Sequence, residues 1–322
     1  MSLTDSRLRR FAVAALLAAL LPAAALAAPF ALVASVQGKV EVARGKAAAV
    51  RASFGTALER GDRVTVAPGA SATIYFSDGN VIELSEKSSV TVGGRVASAA
   101  KTGPAAEIPS GVYNQVSQVV TGGSRQTGLL ALSQMRSGED RPPLLLEPRR
   151  ADVLADRPSF AWRAVEGATR YKVTLSSESG EIWSTEVSAT RVDFPADAKA
   201  LARDADYVWS VDALADRGKL QSETSVFHVV SPQVDAEVRS DVASIERGFP
   251  SADHPAASFV RGQYEVGRGL YHDAAVHFRR LSEQIPDSPA PHEALGNVYR
   301  AIGLMDLAAA EFQRALELTK SP

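Results

Sequence analysis

The chain holds five histidines, His228, His254, His272, His277 and His292, and no cysteine. Zinc on a helix takes two imidazoles at i and i+4 with a carboxylate between them. His272 and His277 are five apart and project to different helix faces. Asp273, beside His272, reads as helix-surface charge. A serine nucleophile would need a Gly-x-Ser-x-Gly elbow or a Ser-x-x-Lys set with its partner motifs, and neither stands out. Gly122-Gly123 is not followed by the Gly-Lys-Ser/Thr of a phosphate loop. The absence of cysteine excludes a thiolate nucleophile, a thiolate metal site, disulfides and a lipidated N-terminal cysteine. Asp62 and Asp78 sit in Gly61-Asp62 and Asp78-Gly79, where glycine supplies positive φ and aspartate caps its own backbone, so they read as turns and not as an acid–base pair. The expected chemistry is therefore recognition, without catalysis, cofactor or metal. Two residue sets carry that expectation: the aromatics of the middle third and the polar residues of the C-terminal third.

With 35 basic and 37 acidic residues the net charge is -2, which does not supply the basic face that nucleic acid requires. At roughly 100–200 residues per domain, 322 residues predict two or three domains. Arg7, Arg9 and Arg10 precede the apolar run Phe11–Leu21, then come Pro22 and Ala25-Leu26-Ala27. Basic start, short apolar core, breaker and small-x-small site make a secretory signal over 1–27, cleaved after Ala27. Apolar character runs on to Ala34, so an uncleaved anchor is the alternative; Pro22, Pro29 and the Ala-Leu-Ala site favour cleavage. The reading is a periplasmic chain with no membrane span after cleavage.

Residues 28–93 read as a small all-β unit. Val36, Gly38, Val40 and Val42 alternate with Gln37, Lys39 and Glu41. Turn signals at Gly61-Asp62, Pro68-Gly69 and Asp78-Gly79 separate Val64–Val66, Ala72–Phe76 and Val81–Leu84, and Val90–Val92 closes the run. Gly38-Lys39-Val40-Glu41-Val42, Leu58-x-x-Gly61-Asp62-x-Val64, Phe76-x-Asp78-Gly79 and Val81-Ile82-x-Leu84, with Ser88 nearby, resemble the FecR-type domain over roughly Val33–Val92. The resemblance implies a compact β roll and a periplasmic sensing role. Its iron-citrate signalling members are tethered to a cytoplasmic anti-sigma segment, and a secretion signal stands here instead.

Residues 94–143 lose strand periodicity and read as a linker with uncertain elements. Gly94–Gly111 is dominated by small and turn-forming residues, and Leu129, Leu130, Leu132 and Met135 fit a helix or a returning strand equally. Residues 144–232 carry about seven short alternating strands, which suggests a β-sandwich. Pro158-x-Phe160-x-Trp162, Gly167-Ala168-x-x-Tyr171 and Tyr207-x-Trp209-x-Val211 resemble a fibronectin type III-like domain. Trp162, Trp209, Tyr171 and Tyr207 read as core between two sheets. Trp183, outside the strongest strand patterns, is the candidate for stacking on a glycan ring.

Residues 233–322 repeat themselves at 34. Gly262 falls on Gly296, Gly269 on Gly303, Phe278 on Phe312 and Arg280 on Arg314. Leu295-Gly296-x-x-Tyr299, Ala308, Phe312 and Ala315 resemble the tetratricopeptide repeat (TPR), with units at about 255–288 and 289–322. The first unit departs from the pattern: Glu265 replaces the aromatic and Leu281 the small residue. Val234, Val238, Val242 and Ile245 recur at helical spacing, so 234–247 is expected to supply a capping helix. The resemblance implies a concave partner face at Phe259, Gln263 and Val266 in the first unit and Glu293, Asn297, Arg300 and Ala301 in the second. Asn297 and Arg300 suit a peptide backbone or carboxylate.

The fold class expected is multidomain β plus α: a FecR-like roll, a fibronectin type III-like sandwich and TPR hairpins. The function expected is an exported, non-enzymatic binding or scaffold protein of the cell envelope. It holds a protein or peptide in the TPR groove, and self-association is a further possibility because two repeats alone are marginal. The alternatives are a glycan- or peptidoglycan-binding envelope protein and a periplasmic signal-perception protein.

Overall fold

Ala31–Gln37 forms β1, whose first four residues are buried on both faces. Ala31 and Val33 point into one core and Leu32 and Ala34 into another. A strand covered on both sides must be apolar without alternation, which accounts for the run Ala31-Leu32-Val33-Ala34. The computed structural model describes residues 29–93, 100–102, 108–123 and 144–320. The signal read over 1–27 and the ambiguous Leu129–Met135 stretch lie outside them. The described chain is a multidomain assembly of β-sheets and helices.

The first core is closed by two antiparallel sheets. β4 (Ala57–Leu58), β1, β6 (Ser71–Phe76), β7 (Val81–Leu84) and β9 (Ala100–Thr102) form one in that order. β3 (Val50–Arg51), β2 (Val40–Ala43), β5 (Arg63–Val66) and β8 (Ser89–Thr91) form the other. Val40, Val42, Val64, Ile74, Leu84 and Val90 fill the space between. Asp78 is a turn residue, as read: its Oδ1 accepts the Asn80 amide at 3.0 Å. Asp62 does more. It is 2% exposed, takes Arg44 Nε at 3.1 Å and Nη2 at 3.0 Å, and accepts the Glu59 amide at 2.9 Å. Burial pushes its carboxyl up, and the hydrogen bonds from Arg44 and Glu59 outweigh that, so the net shift is down.

The stretch 94–143 is more than a linker. β9 extends the first sheet beside β7, and Ser110–Gly123 is a helix, α1. Its Val112, Tyr113 and Val116 are buried against the outer face of β1 and β6. Tyr113 donates its hydroxyl to the Pro29 carbonyl, and its ring meets Tyr75 edge-on at 5.1 Å.

Five further helices follow the sandwich: α2 (Pro232–Arg247), α3 (Pro255–Gly267), α4 (Tyr271–Gln284), α5 (Ala290–Ala301) and α6 (Met305–Lys320). Ser231 caps α2 through its Oγ, and His254 caps α3 by accepting the Ala256 amide on Nδ1 at 3.2 Å. The 34-residue self-similarity has a physical basis in the close approach of paired helices. A Cβ on Gly262 would lie 2.5 Å from the Phe278 ring, and one on Gly296 would lie 2.5 Å from the Phe312 ring. The turns between paired helices place Gly269 at φ +75° and Gly303 at φ +80°, where only glycine sits without strain. α2 packs on α3 through the same core as α1, with Val238 and Ile245 buried. Among the described residues no helix is long and apolar enough to cross a membrane.

The middle unit is a sandwich. β10 (Leu145–Glu147), β12 (Ser159–Trp162) and β15 (Arg191–Asp193) make one sheet. β11 (Ala151–Val153), β17 (Gly218–Val229), β16 (Ala205–Ala215), β13 (Arg170–Ser177) and β14 (Gly180–Val187) make the other, with β11 parallel to β17. Phe160, Trp162, Tyr171, Tyr207, Trp209 and Phe227 fill its core, and Trp209 donates Nε1–H to the Pro148 carbonyl at 2.6 Å.

The sandwich docks on the two glycine turns through the segment between β10 and β11. Arg149 is 5% exposed; its Nη1 lies 2.6 Å from Glu223 Oε1 within the sandwich. Its Nε donates to the Ile302 carbonyl at 2.9 Å, and its amide donates to His272 Nε2 at 2.8 Å. The Asp152 amide reaches the Gly269 carbonyl at 3.0 Å. One arginine thus joins the sandwich to both helix pairs. Arg149→Met keeps the stem and removes every side-chain donor, leaving the Ile302 carbonyl without it and Glu223 with only the Leu144 and Leu145 amides. The expected loss is about 3 kcal/mol in denaturant unfolding of the full chain, with Arg149→Lys recovering part of it.

Candidate functional site

The α3 sequence, Pro255–Gly267, is buried nearly all round: Ala256, Ala257, Phe259, Val260, Gly262, Gln263, Tyr264 and Glu265 are all inaccessible. A helix covered on every side needs partners on every side. Gly262 meets α4, and α2 covers another flank. The remaining side is the one that holds Phe259, Gln263 and Val266. It faces α1. A Cβ on Gly267 would lie 2.6 Å from Gln115 Cγ, and one on Gly55 would touch both Val120 and Phe259. The Phe259 ring meets Phe54 at 5.5 Å and is 3% exposed. Gln263 is buried, and Val266 packs against the same cluster. The structure therefore brings three of the seven candidate groove residues together, on a face already occupied by the chain's own α1. An amphipathic helix laid on an apolar groove is a common way for helices to recognise one another.

The other four candidates continue on α5. Glu293 and Ala301 are exposed, and Asn297 and Arg300 are half-buried. Arg300 Nη2 donates to Asn297 Oδ1 at 3.3 Å. Within about two turns this face offers a carboxylate, an amide and a guanidinium, a set able to hydrogen-bond a peptide backbone.

Behind the groove lies a charged column that the repeat pattern does not contain. Arg261 and Glu265 stand where the second unit has Leu295 and Tyr299. Arg261 Nε lies 3.0 Å from Glu265 Oε1 and its Nη1 reaches Glu246 on α2. His277 Nε2 on α4 is 3.5 Å from the same Glu265 oxygen. Glu265 is 2% exposed, and its Oε2 has no partner. Burial pushes the Glu265 carboxyl up to about 8, against the pull of Arg261. Burial pushes His277 and His272 down to about 4.

These shifts set a pH dependence. Between the ordinary histidine value of 6.5 and about 8, folded Glu265 keeps a proton that the unfolded chain has lost, so stability falls as pH rises. Below 6.5 the two histidines take protons only when unfolded, so stability falls as pH drops toward 4. Thermal unfolding is expected to show maximum stability near pH 6.5; Glu265→Gln should flatten the alkaline limb and, because the raised carboxyl acts from 4.5 to about 8, steepen the acid limb.

Trp183 sits half-buried on β14. Its ring stacks on Phe160 at 5.9 Å and meets Phe194 edge-on at 5.6 Å, so part of its surface serves the sandwich core. His228 Nδ1 lies 2.8 Å from Asp206 Oδ1, and His292 Nδ1 lies 2.7 Å from Glu311 Oε2. Among the described residues no group of three or more ligating side chains could hold a metal ion. The element that sequence reasoning missed is α1. Val112, Val116 and Val120, spaced at i, i+4 and i+8, were its available signal.

No family model matches this chain, and no curated protein matches it. Among solved structures it is similar to the fn3 domain of human collagen alpha-1(XX) chain at 21% identity, covering 30% of this chain and 92% of that one with a TM-score of 0.23. A multi-domain immunophilin from Arabidopsis thaliana is 11% identical over 55% of this chain and 100% of that chain, with a TM-score of 0.19. A beta-1,2-glucanase from Parabacteroides distasonis is 9% identical over 90% of this chain and 58% of that chain, with a TM-score of 0.23. None of these TM-scores supports a shared overall fold.

Proposed function

We propose that this chain is an exported, non-enzymatic scaffold of the cell envelope that holds a protein or peptide on the helical face formed by α5. In this reading the leader is cleaved after Ala27, the mature chain is periplasmic, and no nucleic acid is bound. The first unit is a FecR-like roll, the second a fibronectin type III-like sandwich, and the helix pairs are two TPR repeats capped by α2. The observation that carries the reading is α1 on Phe259, Gln263 and Val266. The first helix pair accepts a helix on that face, and on the TPR reading the corresponding face of the second pair is Glu293, Asn297, Arg300 and Ala301.

Removing everything after Pro232 is a poor test, because it would strip the cover from Leu32, Tyr75 and Val112. Point variants are cleaner. Crosslinking mass spectrometry on envelope fractions should give crosslinks from α5 to one defined protein, lost in the Asn297→Ala, Arg300→Ala double variant. Capture that is unchanged in that variant would remove the groove from the account.

A further inference from the structure

A second surface lies on the other half of the β1–β6–β7 face. Near α1 this face is apolar, with Leu32, Tyr75 and Val81 in the shared core. Past the irregularity between Val33 and Ser35 it turns polar. Ser35, Thr73 and Glu83 pair across the three strands as one row, and Gln37 and Ser71 pair as the next, with Ser85 just beyond β7. The ends of two helices roof these rows, His254–Pro255 at the start of α3 and Gln284–Ile285 at the end of α4. Together they enclose a cleft of about 680 Å³, within the ~300–1,000 Å³ common for small-molecule sites.

The lining defines the ligand. Among the described side chains no lysine or arginine lines the cleft, and its one formal charge is the Glu83 carboxylate, which disfavours an anion. Of its floor strands β6 and β7 pair on both sides, whereas β1 meets β4 only through Ala31 and Leu32. An extended peptide therefore cannot add as a strand over the β6–β7 floor. Recognition falls to short side chains: the hydroxyls of Ser35, Ser71, Thr73 and Ser85 and the amides of Gln37 and Gln284. Thr73 is 4% exposed and lies at the centre of the row that lines the cleft. His254 accepts the Ala256 amide on Nδ1, so its proton sits on Nε2, 3.6 Å from Glu83 Oε1. Burial lowers the pKa of that ring, which keeps it neutral at pH 7. Glu83 and His254 thus present one strong acceptor and one neutral donor side by side. Such a set matches vicinal hydroxyls, each of which gives and takes a hydrogen bond.

We propose that this cleft binds a neutral saccharide of one or two rings, held by the Ser35, Thr73 and Glu83 row beneath His254. The site is separate from the groove on α5 and stands or falls without it. The test is an amide NMR titration of the full chain with two probes, di-N-acetylchitobiose and maltose, at millimolar concentration. Saturable shifts are expected at Ser35, Thr73, Glu83 and His254 with at least one sugar. Thr73→Val keeps the shape and removes the hydroxyl, and it should weaken binding about tenfold. Ser35→Ala serves as the second variant if Thr73→Val disturbs the spectrum elsewhere. The proposal is overturned if neither sugar shifts these resonances, if the shifts cluster around Trp183, or if both variants bind as tightly as the parent. It is equally overturned if the peptide Gly-Ser-Gly shifts these resonances while both sugars do not.

Discussion

Replacing Arg261 with leucine lowers the unfolding free energy of the full chain by about 3 kcal/mol at pH 9, where Glu265 is ionised, the low end for a broken buried pair. Arg261 keeps some solvent contact, and the cost falls mainly on Glu265, whose side chain is 3% exposed. Without the guanidinium, Glu265 keeps only His277 nearby, and burial holds that ring neutral. A protonated carboxyl tolerates this better than a carboxylate does, so the loss should be smaller at pH 6 than at pH 9. The informative partner is the double variant Arg261→Leu, Glu265→Tyr. It installs the pair that the second unit already carries at Leu295 and Tyr299. Replacing a buried ion pair by well-packed apolar groups is often neutral or stabilising, so the double variant should recover most of the loss. Urea unfolding at three pH values measures all of this. If Arg261→Leu stayed within about 0.5 kcal/mol of the parent, the column would be a surface feature and not part of the core.

Val116→Asp should release α1 from α3. Val116 is fully buried among the apolar residues of the shared core. An unpaired carboxylate there costs about 4 kcal/mol, more than one short helix is expected to recover by staying docked. The amides of α1 and the facing amides of α3 should lose hydrogen-exchange protection, while β16 and β17 in the sandwich keep theirs. Val116→Leu, which preserves apolar character but adds a methylene, should cost about 1–3 kcal/mol and leave α1 protected. Unchanged protection of α1 in the aspartate variant would mean that α1 is not held by this contact.

The periodic parts were legible because each carries its own signal. The spacing of 34 pointed to paired helices, and the structure shows why glycine and phenylalanine recur at it: Gly262 meets Phe278 as Gly296 meets Phe312. The turn pairs Gly61-Asp62 and Asp78-Gly79 marked strand ends, but only the coordinates show that Asp62 is also the buried acceptor for Arg44. Glu265 stood out as a departure from the repeat, and Arg261 lies one turn before it on α3, but Glu246 on α2, which shares Arg261, and His277 on α4 come from helices that spacing could not bring together.

The linker was harder to read. Ser110–Gly123 contains four valines, two serines, a threonine and three glycines, poor helix formers in isolation. α1 is helical because α3 and β1 give it an apolar surface to cover. For the same reason Ala31–Ala34 read as a continuation of the apolar run that starts at Phe11, whereas they open a strand buried on both faces. Trp183 looked available for a ligand because its strand lacks clean alternation, yet its ring contacts Phe160 and Phe194 across the sandwich.

The central claim is that the first helix pair is already occupied by α1. The chain has no cysteine, so an engineered pair reports without background. Gln115→Cys with Gly267→Cys places two thiols where a Cβ at 267 would lie 2.6 Å from Gln115 Cγ. That proximity suits a disulfide. The account predicts that the oxidised full-length double variant remains monomeric, loses both free thiols and loses two hydrogens in mass. Two thiols that stay reactive under oxidising conditions would contradict it and return the whole concave face to outside partners.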